Sequence, residues 1–202
     1  MRPIVLCPVL LVALLALPSA ADAQRRPARC CSGNAWSFMP YGGLFKDAFD
    51  ISPDGEDTGW MVGFRLGYRL GARSRLIGNV AYAESDDVTS GPILPDRIVF
   101  DNQYIITTGG GEYDILPGNT SVSLGTELGG AWRKVAADDA SLDPLPAEFG
   151  DAYTFYFAVV PSLTIRHGFT PRTALEVGVR DYIFPEDEVE HSPALTVGFR
   201  FR

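Results

Sequence analysis

The chain has 202 residues, of which 46% are hydrophobic, and its formal net charge at pH 7 is −8. An acidic chain without basic clusters lacks the electrostatic surface that nucleic-acid binding requires. Beyond the first 23 residues, no apolar run approaches the roughly 20 residues that a membrane-spanning helix needs. Any insertion of this chain into a membrane must therefore use β-structure.

Residues 1–23 have the pattern of a secretory signal peptide. Arg2 supplies a positive charge, Ile4–Leu17 form a 14-residue apolar stretch, and Ala21–Ala23 form a small-x-small cleavage site before Gln24. The alternative is an uncleaved N-terminal anchor, but the apolar stretch is short for a spanning helix. We therefore expect export through the inner membrane.

The mature chain is expected to comprise a flexible periplasmic leader, 24–35, and one domain, 36–202. The leader contains the adjacent cysteines Cys30 and Cys31. In an oxidising compartment they could form a strained vicinal disulfide or a bond to a partner. We interpret them as an incidental feature of the leader.

From Trp60 to Leu70, every second residue is large and apolar, and the residues between them include Arg65 and Arg69 together with two glycines. A strict two-residue period predicts an extended strand with one apolar face and one small or polar face. The same reasoning predicts eight strands along the chain, at 36–45, 59–71, 76–84, 101–115, 121–132, 153–165, 173–182 and 194–202.

The connections between these strands alternate between long and short. The long ones are 46–58, 85–99, 134–152 and 184–192, and the tight turns are 72–75, 116–120 and 166–172. In a meander, alternate connections lie at the same end, which predicts external long loops, with the turns and both termini periplasmic.

The acidic residues are concentrated in or beside the long connections, which hold twenty of the chain's 25. Oxygen ligands at such a rim could hold divalent cations that bridge to anionic lipopolysaccharide. The simpler interpretation, which we favour, is a solvated cap that keeps the loops apart by charge repulsion. Neither Asp54–Asp57 nor Asp138–Asp139 has the spacing of a calcium loop.

Alternation alone does not say which face of a barrel is outside. A soluble lipocalin-like barrel would direct the apolar face into its lumen. Its solvated outer face should then be rich in lysine, whereas this chain has only Lys46 and Lys134 and its non-apolar face is rich in glycine. We therefore predict that the apolar face contacts lipid. The aromatic residues predicted to do so are Trp60, Phe64, Tyr68, Trp132, Tyr153, Phe155, Phe157, Phe199 and Phe201.

Charged residues on the opposite face must pair inside the lumen, because an unpaired buried charge is costly. We predict an arginine–glutamate network that fills and closes the barrel, since eight strands leave room for little besides side chains. The functional alternative is a selectivity filter or a proton path. The predicted members are Arg65, Arg69, Glu127, Glu176, Arg180 and Arg200.

The sequence offers little support for catalysis. His191 stands between Glu190 and Ser192, a grouping that invites comparison with lipid A deacylases, and His167 lies in a turn. Neighbours in one loop cannot aim at one another as a catalytic triad requires. We therefore expect no catalytic residue, no metal site and no cofactor.

Three segments and the last strand carry a resemblance to a known family. They are Phe38–Gly43 in the first strand, the turn Phe169–Arg172, Glu176–Tyr182, and the aromatic alternation of 194–202. The chain resembles the small outer-membrane β-barrel proteins of the OmpA-like transmembrane-domain type, which include OmpX- and OmpW-like barrels.

The resemblance implies an all-β fold, an eight-stranded antiparallel up-and-down transmembrane barrel in a Gram-negative outer membrane. It also implies insertion by the outer-membrane assembly machinery. That machinery usually reads a final aromatic residue, and here Arg202 follows Phe201. Pro161, inside the sixth strand, predicts a local bulge.

We expect a non-enzymatic role in envelope integrity, or in surface interaction through the acidic loops. Two other classes stay open: a narrow channel for small solutes and an outer-membrane lipid-modifying enzyme.

Overall fold

The computed structural model describes residues 35–47, 58–89, 98–137, 153–185 and 189–202. The predicted signal peptide, most of the predicted leader with Cys30 and Cys31, and most of the acidic residues of the predicted loops lie outside these ranges. The strands are β1 Trp36–Lys46, β2 Thr58–Arg69, β3 Ser74–Thr89, β4 Ile98–Leu116, β5 Thr120–Ala137, β6 Thr154–Gly168, β7 Thr173–Pro185 and β8 Val189–Phe201.

Each strand pairs antiparallel with the next, and β1 pairs with β8 to close the barrel. The predicted eight-stranded up-and-down barrel is therefore confirmed. No helix in the described part of the chain is long and apolar enough to cross a membrane.

Several strands continue into segments that the sequence predicts as loops. Strands β3, β4 and β5 have 16, 19 and 18 residues, and their paired ends project beyond the apolar part of the barrel. Strands β7 and β8 stay paired up to Pro185 and Val189, so the predicted long loop 184–192 is wrong. Backbone pairing does not need an apolar face. Polar residues can therefore extend these ladders without any apolar alternation that would predict a strand.

Two prolines interrupt ladders without shifting their register. The β6–β7 partners Val159–Ile183 and Ser162–Arg180 keep one register. The β6 positions between them, which include Pro161, have no ladder partner on β7. Pro40 lies in a similar gap of the β1–β8 ladder. The predicted bulge at Pro161 is therefore wrong: proline lacks the N–H group that a ladder needs, and its loss leaves a gap.

The apolar face forms the outer surface of the barrel. The apolar residues from Trp60 to Leu70 are between 36% and 60% exposed, and all nine aromatic residues predicted to face lipid are exposed as well. Exposed rings pair across strands, as with Trp132 and Phe155, whose centroids lie 5.2 Å apart. The Phe155 ring also occupies the space that a Cβ atom on Gly130 would need. The soluble alternative, with an apolar lumen and a polar outside, is therefore wrong.

Candidate functional site in the barrel lumen

The centre of the lumen holds an arginine that bridges two strands on the far side of the barrel. Arg65 on β2 is 1% exposed. It donates from Nη2 to Glu127 Oε1 at 2.9 Å and from Nη1 to Glu176 Oε1 at 3.0 Å. These glutamates stand on β5 and β7, so one guanidinium links three strands that are distant in sequence.

Glu176 pairs with three arginines, each at 3.0 Å or less. Its Oε1 accepts from Arg65, as described above. Its Oε2 accepts from Arg166 Nε at 3.0 Å and from Arg200 Nη2 at 2.6 Å. Arg166 is its direct cross-strand partner on β6, and Arg200 stands on the neighbouring β8. Charge-assisted hydrogen bonds of this kind compensate for the desolvation of a buried carboxylate.

A second group of ion pairs, which the sequence reasoning missed, lies next to the first. Arg75 Nη2 lies 2.6 Å from Asp114 Oδ2, and its Nη1 lies 3.3 Å from Glu112 Oε2. Arg166 joins the two groups through Glu112 Oε1 at 3.1 Å. The reasoning placed Arg75 and Arg166 in turns and left the facing of β4 open. Arg75 is two residues from Ile77, so both lie on the same face of β3. The alternation of that strand could therefore have shown that Arg75 points into the lumen.

We call these eight residues the ionic cluster. It contains four arginines and four carboxylates, and their formal charges balance. Its members are Arg65, Arg75, Arg166, Arg200, Glu112, Asp114, Glu127 and Glu176.

Two predicted members of the network lie elsewhere. Arg69 is exposed at the end of β2, where the lumen opens, so its assignment to the buried network is wrong. Arg180 is buried, but it stacks over the Tyr41 ring at 4.6 Å and lies 3.4 Å from Asn79 Oδ1. It thus supports a polar chain beside the ionic cluster.

That polar chain crosses the lumen to Glu127. Tyr41 donates its hydroxyl to Asn79 Oδ1 at 2.7 Å, Asn79 Nδ2 lies 3.4 Å from Thr108 Oγ1, and Thr108 donates to Glu127 Oε2 at 2.5 Å. The Tyr41 ring fills the space where a Cβ atom on Gly63 would stand. Glycine on the lumen face therefore admits the large side chains of neighbouring strands.

The loop end of the lumen is closed by a layer of aromatic residues. Phe45, Tyr104, Tyr182 and Phe184 are fully buried, and the Phe45 ring centroid lies 5.3 Å from Tyr104 and 6.1 Å from Tyr182. We call these four residues the aromatic layer. The sequence reasoning expected small and charged lumen residues and missed this layer, although Tyr182 and Phe184 share the parity of the inward-facing Arg180.

Asp47 covers part of the aromatic layer. It accepts hydrogen bonds from Ser85 Oγ at 2.8 Å and from Tyr104 Oη at 2.5 Å, and it is 4% exposed. The sequence reasoning counted Asp47 among the acids of the external loops. Its side chain is instead buried in the lumen, where it accepts these two hydrogen bonds.

The Glu190–His191–Ser192 grouping is not assembled as a catalytic unit. Ser192 is fully buried, whereas the His191 side chain is 55% exposed and lies 2.8 Å from Asp181 Oδ2. Successive residues of a strand point to opposite faces, which separates the hydroxyl from the imidazole. The other histidine, His167, contacts Thr120 Oγ1 at 2.8 Å. Within the described ranges, no three potential metal-ligating side chains cluster together.

A closed antiparallel barrel with an apolar outer belt is the architecture of small outer-membrane β-barrels. The belt and the fold together place the chain in an outer membrane. No protein-family model matches the chain, and no curated protein sequence matches it either.

Solved structures of small outer-membrane barrels are similar to this chain. Neisserial surface protein A has a TM-score of 0.52 and 15% identity, with 82% of this chain and 95% of that chain covered. The N-terminal β-barrel domain of Pseudomonas aeruginosa OprF has a TM-score of 0.51 and 12% identity, covering 84% and 100%. Pseudomonas aeruginosa OprG has a TM-score of 0.51 and 11% identity, covering 83% and 96%. At these identities the likeness shows a shared fold.

Proposed function

We propose that this chain is a non-enzymatic outer-membrane protein with a closed lumen, which serves envelope integrity or surface interaction through its acidic external loops. The observation that supports the proposal is that buried side chains fill the lumen at two levels, the ionic cluster and the aromatic layer. Eight strands enclose barely more than their own side chains, and here those side chains pair with one another.

The distribution of charge supports a role at the loop end. The described acidic residues at the ends of β3, β4, β7 and β8 include Glu84, Asp101, Asp181 and Glu190, all on the loop side of the barrel. Such a rim can recruit divalent cations and, through them, anionic lipopolysaccharide. These partners, together with the assembly machinery that inserts the barrel, belong to the proposal.

Single-channel recording tests the closed lumen. The purified, folded protein is reconstituted into planar bilayers in several salts, with a general porin as the control for insertion. We expect no conductance steps from the barrel. Reproducible steps from the folded protein would favour the narrow-channel alternative.

Lipid A analysis tests the non-enzymatic part of the proposal. Cells that overproduce the protein should yield lipid A with an unchanged mass spectrum. A modified lipid A that returns to normal with His191→Ala would instead identify a lipid-modifying enzyme.

A further inference from the structure

The turn end of the lumen opens into a cavity with a strongly cationic lining. The cavity has a volume of about 470 Å³ and lies between the ends of β1, β2 and β8 and the β6–β7 turn. Among the described residues that line it there is no aspartate or glutamate. The lining arginines are Arg69, Arg75, Arg172, Arg200 and Arg202.

The five arginines form a floor and a rim. The floor consists of Arg75 and Arg200, which are 6% and 3% exposed and which pair with Asp114 and Glu176. The rim consists of Arg69, Arg172 and Arg202. Since the ionic cluster is already charge-balanced, the rim guanidiniums add positive charge to this end of the lumen.

Two of the rim arginines repel each other. Partial burial and the nearby guanidinium groups of Arg69, Arg166 and Arg75 lower the pKa of Arg202, and the Asp114 carboxylate opposes this shift. Several like charges in one concave site attract an ion of the opposite sign. The cavity thus has an electrostatic reason to bind an anion.

The backbone keeps the cavity open. Gly67 lines it, and a Cβ atom at that position would lie 3.6 Å from Arg200 Nη1. The glycine thus places no side chain between the floor arginine and the open space. Ser37, also in the lining, donates its hydroxyl to the Gly67 carbonyl oxygen at 3.4 Å, and its Oγ would lie 2.6 Å from a Cβ atom on Gly67.

We propose that this cavity is a binding site for a phosphate-type oxyanion, supplied either as a free anion or as the head group of an anionic phospholipid. Guanidinium groups present paired N–H donors that match phosphate oxygens, and several converging guanidiniums bind such anions strongly. The site requires the barrel but not the proposed role of the external loops. It therefore stands or falls independently of that role.

Calorimetric titration with pyrophosphate tests the free-anion source. The whole barrel is used in a zwitterionic detergent, and each rim variant, Arg69→Gln or Arg172→Gln, removes one charge. Arg73→Gln is the matched control, because Arg73 is exposed at the same end but does not line the cavity. We expect saturable binding that is about ten-fold weaker in each rim variant, as for the loss of a charged hydrogen bond, and nearly unchanged in the control.

Titration of phosphatidylglycerol into the same preparations, followed by native mass spectrometry, tests the lipid source. The same ranking of variants with this lipid, but not with pyrophosphate, assigns the site to a head group. Heat-modifiable electrophoretic mobility confirms that each variant is folded. The proposal is overturned if neither ligand binds saturably, or if Arg73→Gln weakens binding as much as the rim variants do.

Discussion

At the scale of single residues, Glu176 is the position on which the ionic cluster depends most. It pairs with Arg65, Arg166 and Arg200. Glu176→Gln keeps the shape but leaves three buried guanidiniums without their shared counter-charge. We expect the free energy of unfolding to fall by about 3–5 kcal/mol, the usual cost of breaking a buried ion pair from one side. Urea titration of the barrel folded in phospholipid vesicles measures it.

The control for that prediction is Glu190→Gln. Glu190 is partly exposed near the loop end of β8, so its change should be within about 0.5 kcal/mol of zero. Equal losses in the two variants would mean that the ionic cluster contributes no more to stability than a surface charge does.

The sequence could predict the centre of the ionic cluster but not its edge. Arg65, Glu127 and Glu176 lie within strands of clear alternation, where parity alone gives the direction of a side chain. Arg75 lies one residue before the predicted start of the third strand at 76, so the sequence reasoning assigns it to a turn although it shares the parity of Ile77. Arg69 has the correct parity, but it lies where the barrel wall ends and the lumen meets solvent. The parity of a residue predicts which face of its strand it lies on. How deep it sits in the lumen depends on the register of the strands, which the sequence does not give.

At the scale of whole strands, the prolines weaken individual ladders. Pro161 lies in the gap of the β6–β7 ladder. Pro161→Val restores an N–H donor and a β-favouring side chain on an exposed position. We expect an increase in the free energy of unfolding of about 0.5–1.5 kcal/mol, the contribution of one hydrogen bond, measured by the same urea titration.

The matched control for that strand is Pro193→Val. Pro193 is also exposed, but it lies where the β1–β8 ladder has already ended, one residue beyond the Phe45–Ala194 pair. It should therefore gain little. If the Pro161→Val variant is no more stable than the parent barrel, the gap in the β6–β7 ladder has a cause other than the backbone N–H that proline lacks.

Strand ends were harder to predict than strand centres for a physical reason. The apolar alternation that marks β3, β4 and β5 is required only where lipid contacts the barrel. Beyond that belt the ladders continue on backbone hydrogen bonds, and polar residues such as Glu84 and Asn102 still have ladder partners between β3 and β4. Composition therefore marks the membrane boundary rather than the end of the strand.

At the scale of the whole molecule, the barrel is inverted relative to a soluble protein. Its exposed surface carries Trp60, Phe64 and Leu66, while its interior carries paired arginines and carboxylates. In water this arrangement would be unstable, because the apolar belt would be hydrated. Lipid outside and a narrow lumen inside make both choices favourable.

The depth dependence of a lipid-facing charge tests this inversion. Leu66 lies on the outer face between Phe64 and Tyr68, whereas Leu70 follows the end of β2 on the turn side. Leu66→Arg places a charge within the apolar belt and should cost about 2–4 kcal/mol if near the midplane, whereas Leu70→Arg near the interface should cost about 0–1 kcal/mol. Folding into phosphatidylcholine vesicles at graded urea concentrations, with the folded fraction read from unboiled gel mobility, measures both. Equal costs at the two depths would show that no lipid belt covers this face, and would contradict the assignment of inside and outside.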